Sequence, residues 1–441
     1  MDIDTTAERI IPTANFVSVV HPYMPTGENI AQLDGSIEYR KSFEVQHEPV
    51  DLASKQPLEF IIHGSPNHFI DLQSFMIDVD LQITLANGQR DGGVVGNWKA
   101  HFINNLSQSL WSVVKVYLND VCVESNYNNQ QTSNLKHILT TPNTLIEERG
   151  IVQGIFPVKS NTLIDNITAD HCAKDSIQAR IDFARPGNVH VKGPLQLDLS
   201  SCEKYLVDGV TLKLVLEPAA VAYLIKSSPP NPPQAYDYKL KNVVLTCCKV
   251  KPSDPAIIAT RKQIVKKPFE YLMRRMIVHR EIIPQGYTQH VATRPFQNLI
   301  PNKLYIFLVD RDAAMGHQQR YPFYYDHCKL MHYSVKVNGF QIAGGQVDTD
   351  YRSEYLDSLQ SHGGDYFIPF NNYANGCFVL CVNTNDQSEF NSINIEKSGN
   401  LSITLTFQDP LPRPQMLHIA GAIDSPFTVD INRTVNTEFQ Y

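Results

Sequence analysis

The sequence predicts an all-β chain: two tandem sandwiches of about eight strands each, with long inserted loops and short helices. Three observations lead there. First, the second half repeats the plan of the first. Val114-Lys115-Val116-Tyr117-Leu118 runs into an Asn119-Asp120 turn and then Val121-Cys122-Val123, and Val335-Lys336-Val337 runs into Asn338-Gly339 and then Phe340-Gln341-Ile342. Second, Asp208-Gly209-Val210-Thr211-Leu212-Lys213-Leu214 is answered by Ser398-Gly399-Asn400-Leu401-Ser402-Ile403. The paired turns lie 219 residues apart (119 to 338) and the paired glycines 190 (209 to 399), which suggests a duplicated unit of roughly 200 residues. Third, charged residues make up only 19%, while Tyr and Phe number 20 each. That balance favours half-buried sheets over long solvated helices.

Taken in order, residues 1–55 read as a polar arm and a first strand near Gly35 to Phe43. Strands then follow at Leu58 to Ile62 and Phe75 to Ile83, the second with clean period-two alternation. Asn87-Gly88 and Asp91-Gly92-Gly93 supply turn chemistry. From Tyr127 to Pro194 the pattern loosens into a long excursion with a short helix near Gln131 to Leu139, and loops of that length are usually functional or partner-binding. Strands resume at Leu195 to Asp198, Val210 to Leu216 and Leu240 to Cys248, with Pro229-Pro230-Asn231-Pro232-Pro233 as a loop before the last of them. The first sandwich is therefore placed at 56–252.

Ser253 can cap a helix with Pro255 in its first turn and Ile257, Ile258, Ile264 and Val265 as a rough apolar face, so 253–267 is the expected linker helix. The second sandwich then occupies 268–441, with a terminal tail. Its strands are expected at Met276 to Ile283, Lys303 to Val309, Leu330 to Val337, Cys377 to Val382, Leu401 to Phe407 and Leu417 to Ala420. A second excursion, Gly344 to Asn375, carries a helical piece at Tyr351 to Leu359. The two halves thus share the place of their interruption as well as their strands. Such a pair suits a tandem jelly roll.

With 441 residues the chain can bury a large core. A net charge of −7 gives no general affinity for nucleic acid, so any such contact would need a local patch. No run of about 18 apolar residues exists to span a membrane, and MDIDTTAERIIPTANF lacks a signal-peptide core. The eight cysteines (122, 172, 202, 247, 248, 328, 377 and 381) have no framework spacing and are expected to be reduced core thiols. The N-x-S/T matches at Asn105, Asn166, Asn400 and Asn432 are then silent.

No chemistry-bearing constellation emerges. Cys247 and Cys248, adjacent on a strand, face opposite ways. Cys377 and Cys381, if both on one strand, share a face but stand roughly 13 Å apart, too far for a disulfide or a common metal. His171-Cys172 and His327-Cys328 would need a second close pair to hold zinc. His-x-His, Gly-x-Ser-x-Gly, phosphate-loop and His-Glu-x-x-His patterns are absent, and Gly92, Gly93 and Gly96 lack a following Lys-Ser/Thr. No catalytic, cofactor-binding or metal-binding residue is expected, and no enzyme activity. The basic run Arg261, Lys262, Lys266, Lys267, Arg274, Arg275 and Arg280 reads as a solvated helix and strand face more than a phosphate patch. Asp348 to Tyr355, acidic and aromatic, reads as a contact element of its excursion.

A more specific signal lies in Tyr373-Ala374-Asn375-Gly376, in Glu396 to Ile403, and in Val429-Asp430-Ile431-Asn432-Arg433. It extends to Arg280-Glu281-Ile282-Ile283-Pro284 with Gly286, to Leu308-Val309-Asp310 before Tyr321-Pro322-Phe323, and to Asn104 to Leu110 in the first half. These stretches resemble the hexon-like, double jelly-roll major capsid proteins of Polinton (Maverick) elements and adintoviruses. The resemblance covers most of 57–435, is most specific after 268, and departs in 127–194. It implies a structural protein whose homotrimers form pseudo-hexameric capsomers of an icosahedral shell around double-stranded DNA. Its partners would be itself, neighbouring capsomers, and penton or minor capsid proteins. Direct nucleic-acid contact stays open. The chain would reside in the virion capsid after synthesis in the host cytoplasm, with cytoplasmic or nuclear assembly left open. The rival reading is a secreted or surface β-sandwich module that binds carbohydrate or protein.

Overall fold

The computed structural model describes residues 37–48, 50–85, 100–156, 173–184, 187–227, 236–363, 368–384 and 398–437. The arm before residue 37, the turns at 87–93, Gly96, Asn166, His171-Cys172 and the proline loop 229–233 lie outside the described residues.

The first half runs β1 (Ile37–Gln46), β2 (Leu58–Ile62), β3 (Phe69–Leu85), β4 (Ala100–Phe102), α1 (Leu106–Ser109), β5 (Trp111–Leu118), β6 (Val121–Asn126), α2 (Asn129–Thr140), α3 (Asn143–Gln153), α4 (Ala173–Ala184), β7 (Val189–Pro194), β8 (Leu212–Pro218), α5 (Val221–Leu224), β9 (Ile225–Ser227) and β10 (Tyr236–Pro252). Helix α6 (Asp254–Lys266) leads to β11 (Phe269–Ile283), β12 (Gln289–Thr293), β13 (Lys303–Asp310), α7 (Arg311–Met315), β14 (Leu330–Val337), β15 (Phe340–Gln346), α8 (Arg352–His362), α9 (Phe370–Ala374), β16 (Leu380–Asn383), β17 (Leu401–Phe407), β18 (Gln415–Val429) and β19 (Val435–Thr437).

These strands make two jelly rolls of identical antiparallel topology. The first pairs sheet β1-β10-β3-β7 with sheet β2-β8-β5-β6. The second pairs β11-β18-β13-β16 with β12-β17-β14-β15. Alternation builds each core. In β3, Ile77, Val79 and Leu81 point inward against Val114, Val116, Leu214 and Leu216 of the facing sheet. Asp78 and Asp80 point outward, where Lys192 and His190 of β7 meet them at 3.0 and 2.9 Å. In the second sandwich Ile306, Leu308, Leu417 and Ile419 pack with Val335, Ile403 and Leu405. Each such side chain contributes about 1.5–3 kcal/mol by leaving water.

The duplication extends to detail. Both hairpin turns sit in left-handed backbone, Asn119 and Asp120 at φ 44° and 67°, Asn338 and Gly339 at 51° and 86°, as two-residue turns matched to strand twist require. Both hairpins carry a bulge two residues before the turn, between Val116 and Tyr117 and between Val335 and Lys336. In each, the turn asparagine is pinned to the strand that follows. Thr211 N–H donates to Asn119 Oδ1 at 2.8 Å, and Asn400 N–H donates to Asn338 Oδ1 at 2.8 Å. This fixes the true offset there as 400 − 211 = 189, so Gly399 answers Val210 and the expected pairing with Gly209 is one residue out. A Cβ on Gly399 would come within 2.7 Å of Asn338 Oδ1, so glycine serves the pinning and not the repeat.

Several expectations change. Leu195 to Asp198 is not a strand. Its alternating buried leucines mimic one, but Leu197 N–H folds back on Leu195 O at 3.0 Å and the chain turns into a 3-10 helix. The strand lies just before it, as β7 inside the 127–194 excursion, where Gly193-Pro194 hid it; proline is tolerated because β7 is an edge strand. The same excursion holds α3 and α4 besides α2. In the second half, β12 was missed because it is five residues with only Ala292 fully buried, and the second excursion starts after β15, not at Gly344. In α6, Ile257, Thr260 and Ile264 form the inner face, while Ile258 and Val265 are exposed.

Candidate assembly interface

The excursions between β6 and β7 and between β15 and β16 occupy equivalent places, and the first of them binds the two sandwiches together. Helix α2 leaves β6 with Leu135 and Leu139 in the core of the second sandwich. Its polar face meets the loop after α7. Asn134 donates to Tyr325 Oη at 2.8 Å, Tyr325 Oη donates to Gln131 Oε1 at 3.2 Å, and Gln131 Nε2 donates to Pro322 O at 2.9 Å. Tyr321 accepts from Asn104 N–H at 2.8 Å and from Arg180 of α4 at 2.5 Å. Burial pushes the Tyr321 hydroxyl up from its ordinary pKa, with Arg180 pulling it back, and pushes Tyr325 up as well. Both therefore stay neutral hydrogen-bonding groups.

Beside this network lies a cavity of about 60 Å³, lined by Asn134, His137, Phe156, Tyr321, Asn372 and Cys377 among others. Burial lowers His137 to about 4 and raises Cys377 to about 12, so neither imidazolium nor thiolate is available there at neutral pH.

A second seam joins β6, α2 and β11. Glu124 accepts the N–H groups of Asp198 and Leu199 at 2.8 and 2.9 Å. Asp198 takes Lys136 Nζ at 2.6 Å on one oxygen and Met276 N–H at 3.1 Å on the other. Desolvation and the neighbouring Asp198 carboxylate push Glu124 up to about 7. The third seam is the far end of the first sandwich. There β19 lies along β6, Val435 joins the first core, and Arg433 holds Asp208 through its carboxylate and its carbonyl, each at 2.6 Å. Asn119 Nδ2 donates to Arg433 O at 2.7 Å. Tyr271 of β11 stacks on Phe427 of β18 at 4.8 Å, and both side chains complete the first core.

The residues singled out from sequence are scattered. Cys247 packs in the first core while Cys248 faces the other way, 3.2 Å from Ser42 Oγ. Cys381 is on β16, but Cys377 precedes that strand, bridged in parallel to Tyr325, so the two do not share one strand face. His327 meets Tyr351 Oη at 2.8 Å. Among the described residues, no three His, Cys, Asp or Glu side chains gather as a metal-binding group, and no helix is long and apolar enough to cross a membrane. The basic run disperses: Arg275 is buried, Arg261 reaches Asn67 at 2.6 Å, and Arg274 faces Asp424 at 3.8 Å. Asp348 to Tyr355 has core duty after all, because Tyr351 and Tyr355 pack on Phe378 and Tyr373. Gln131, Asn134 and Glu124 carry no signal in the sequence, where they read as ordinary polar residues, and Arg433 enters there only within the Val429 to Arg433 stretch of the resemblance, without a role.

No protein-family model matches the sequence, and no curated protein matches it. Solved structures do. A chain of the Sputnik virophage structure aligns over 100% of this chain and 93% of its own length, with TM-score 0.63 and 12% identity. The mavirus major capsid protein aligns over 97% and 96%, with TM-score 0.58 and 11% identity. The Faustovirus major capsid protein aligns over 90% and 92%, with TM-score 0.58 and 9% identity. At these identities the likeness concerns the fold: both jelly rolls, in this order, in one chain.

Proposed function

We propose that the chain is the major capsid protein of an icosahedral double-stranded DNA virus or virus-like element, forming homotrimeric, pseudo-hexameric capsomers. One observation carries the reading: the likeness to solved capsid chains runs end to end through both sandwiches. The reading takes 56–252 and 268–441 as the two structural units, joined by 253–267 and preceded by the arm. Physically, a duplicated sandwich lets a three-fold oligomer offer six similar lateral faces, and closed symmetry lets one chain build the tile. The seams around α2, Glu124 and Arg433 join the two sandwiches of a chain by buried and part-buried contacts, which lowers the free energy assembly would spend ordering them. On this reading the chain is a structural protein and not an enzyme. Its partners are its own copies, neighbouring capsomers, and penton or minor proteins, and it resides in the virion after synthesis in the host cytoplasm. The Polinton and adintovirus resemblance is the proposed lineage.

Negative-stain microscopy of the purified chain tests this. Triangular or hexagonal particles that tile into sheets or shells are expected, and uniformly monomeric particles at every concentration would overturn it.

A further inference from the structure

The two hairpins that the duplication makes equivalent differ in what covers them. In the first sandwich, β5-β6 is roofed by the segment that follows β18: Arg433 clamps Asp208, Asn119 binds Arg433 O, and Val435 of β19 packs into the core. Val121 is accordingly packed on that core and Val123, the bulge residue, is 0% exposed. Adding 219 gives their counterparts in the second sandwich, Phe340 and Ile342. Phe340 is 78% exposed and Ile342 40%. The topology, turn, bulge and pinning asparagine are the same; the roof is missing among the described residues. Phe340 and Ile342 stand together on one hairpin where the equivalent pair of the first sandwich is covered, and exposed apolar side chains grouped in this way mark a contact surface.

The missing roof has a counterpart. In the second sandwich the segment following the last long strand, β18, crosses to the first sandwich. In the first sandwich the segment following the equivalent strand, β10, is α6. Its inner face (Ile257, Thr260, Ile264) is used, while Ile258 and Val265, seven residues apart and so on one helical stripe, are 53% and 67% exposed. Helix α6 also sits at the same end of its sandwich as the hairpin turn, since Arg261 reaches Asn67 in the β2-β3 loop. Among the described residues, each chain thus carries one uncovered hairpin on its second sandwich and one uncovered apolar stripe on the helix that follows its first.

We propose that a second copy of this chain covers the β14-β15 hairpin, seating Phe340 and Ile342 against the Ile258–Val265 stripe of that copy's α6. This contact rests on the trimeric capsomer reading and specifies it. It joins two different patches, so it is heterologous, and three such contacts close a ring. Within a chain the β18 extension ties second sandwich to first; between chains α6 does the equivalent work for the other junction.

The test uses cysteine pairs in the full chain. Phe340→Cys and Val265→Cys are placed on separate chains, co-expressed, and bridged with a short bis-maleimide. A covalent heterodimer on a denaturing gel is expected, and each single variant alone, with the native cysteines as background, should give only monomer. The double variant in one chain should give a ladder to the trimer. Light scattering on the same samples separates the two claims. Trimers without these cross-links would overturn this contact and leave the capsomer reading standing, while monomers at all concentrations would remove both. As a second measure, Phe340→Asp should raise the concentration at which trimers dissociate at least tenfold while leaving the thermal melt of the monomer unchanged, because the side chain is exposed. A Phe340→Asp trimer as stable as wild type would also overturn the contact.

Discussion

Glu124 is the ionisable group whose titration says most about the junction. Its carboxyl is held near 7 instead of 4.5, because burial and Asp198 disfavour the charged form more than two backbone N–H donors favour it. The folded protein therefore binds this proton more tightly than the unfolded chain. The associated stability is complete below about 4.5, falls as pH rises toward 7, and is lost above it. His137 and His418, lowered to about 4 and about 3 mainly by burial, act oppositely, since their stability is present above 6.5 and is lost as pH falls. The Glu124 contribution is therefore read as a difference. Urea midpoints of wild type and Glu124→Gln across pH 4 to 8 should converge in slope on the acid side and diverge toward neutrality, with the variant relatively more stable at pH 8. Arg433 offers a second check. Removing its guanidinium with Arg433→Ala leaves Asp208 without its nearest cation and bares the first hairpin. That should cost about 1–3 kcal/mol in denaturant unfolding, and a change below about 0.5 kcal/mol would contradict the roofing role.

Helix α2 is the element on which the junction turns. Leu135 is encoded in the first half yet buried in the core of the second. Leu135→Ala should therefore destabilise by about 2–5 kcal/mol, and the loss should appear in probes of the second sandwich. Leu356→Ala, on the exposed side of α8, should stay within about 0.5 kcal/mol. Strands such as β2 and β17 were legible because one face is wetter than the other, which writes the period of two into the residues. Strand β7 was not, because Gly193 weakens a strand and Pro194 is acceptable only at an edge, and edge position is a tertiary fact. Much of the candidate interface was illegible for the same reason. Gln131, Asn134 and Glu124 look like ordinary surface residues until the partners that satisfy them, Pro322, Tyr325 and the Asp198 backbone, arrive from far along the chain. The aromatic pair Tyr351 and Tyr355 was visible, but a sequence does not say whether such rings face a partner or their own core.

In the molecule as a whole, the repeat visible in the hairpin sequences is a repeat of topology. The same four-strand orders occur twice, with the same turn and the same bulge, and among the described residues a roof is present on one copy alone. That asymmetry is what a chain needs if two similar sandwiches are to alternate around a ring, with one junction made inside the chain and the other between chains. Size-exclusion chromatography with multi-angle light scattering, at micromolar concentration and moderate salt, tests this most directly. The account predicts a single species of three times 49.8 kDa. A stable species of 49.8 kDa under the same conditions would contradict it.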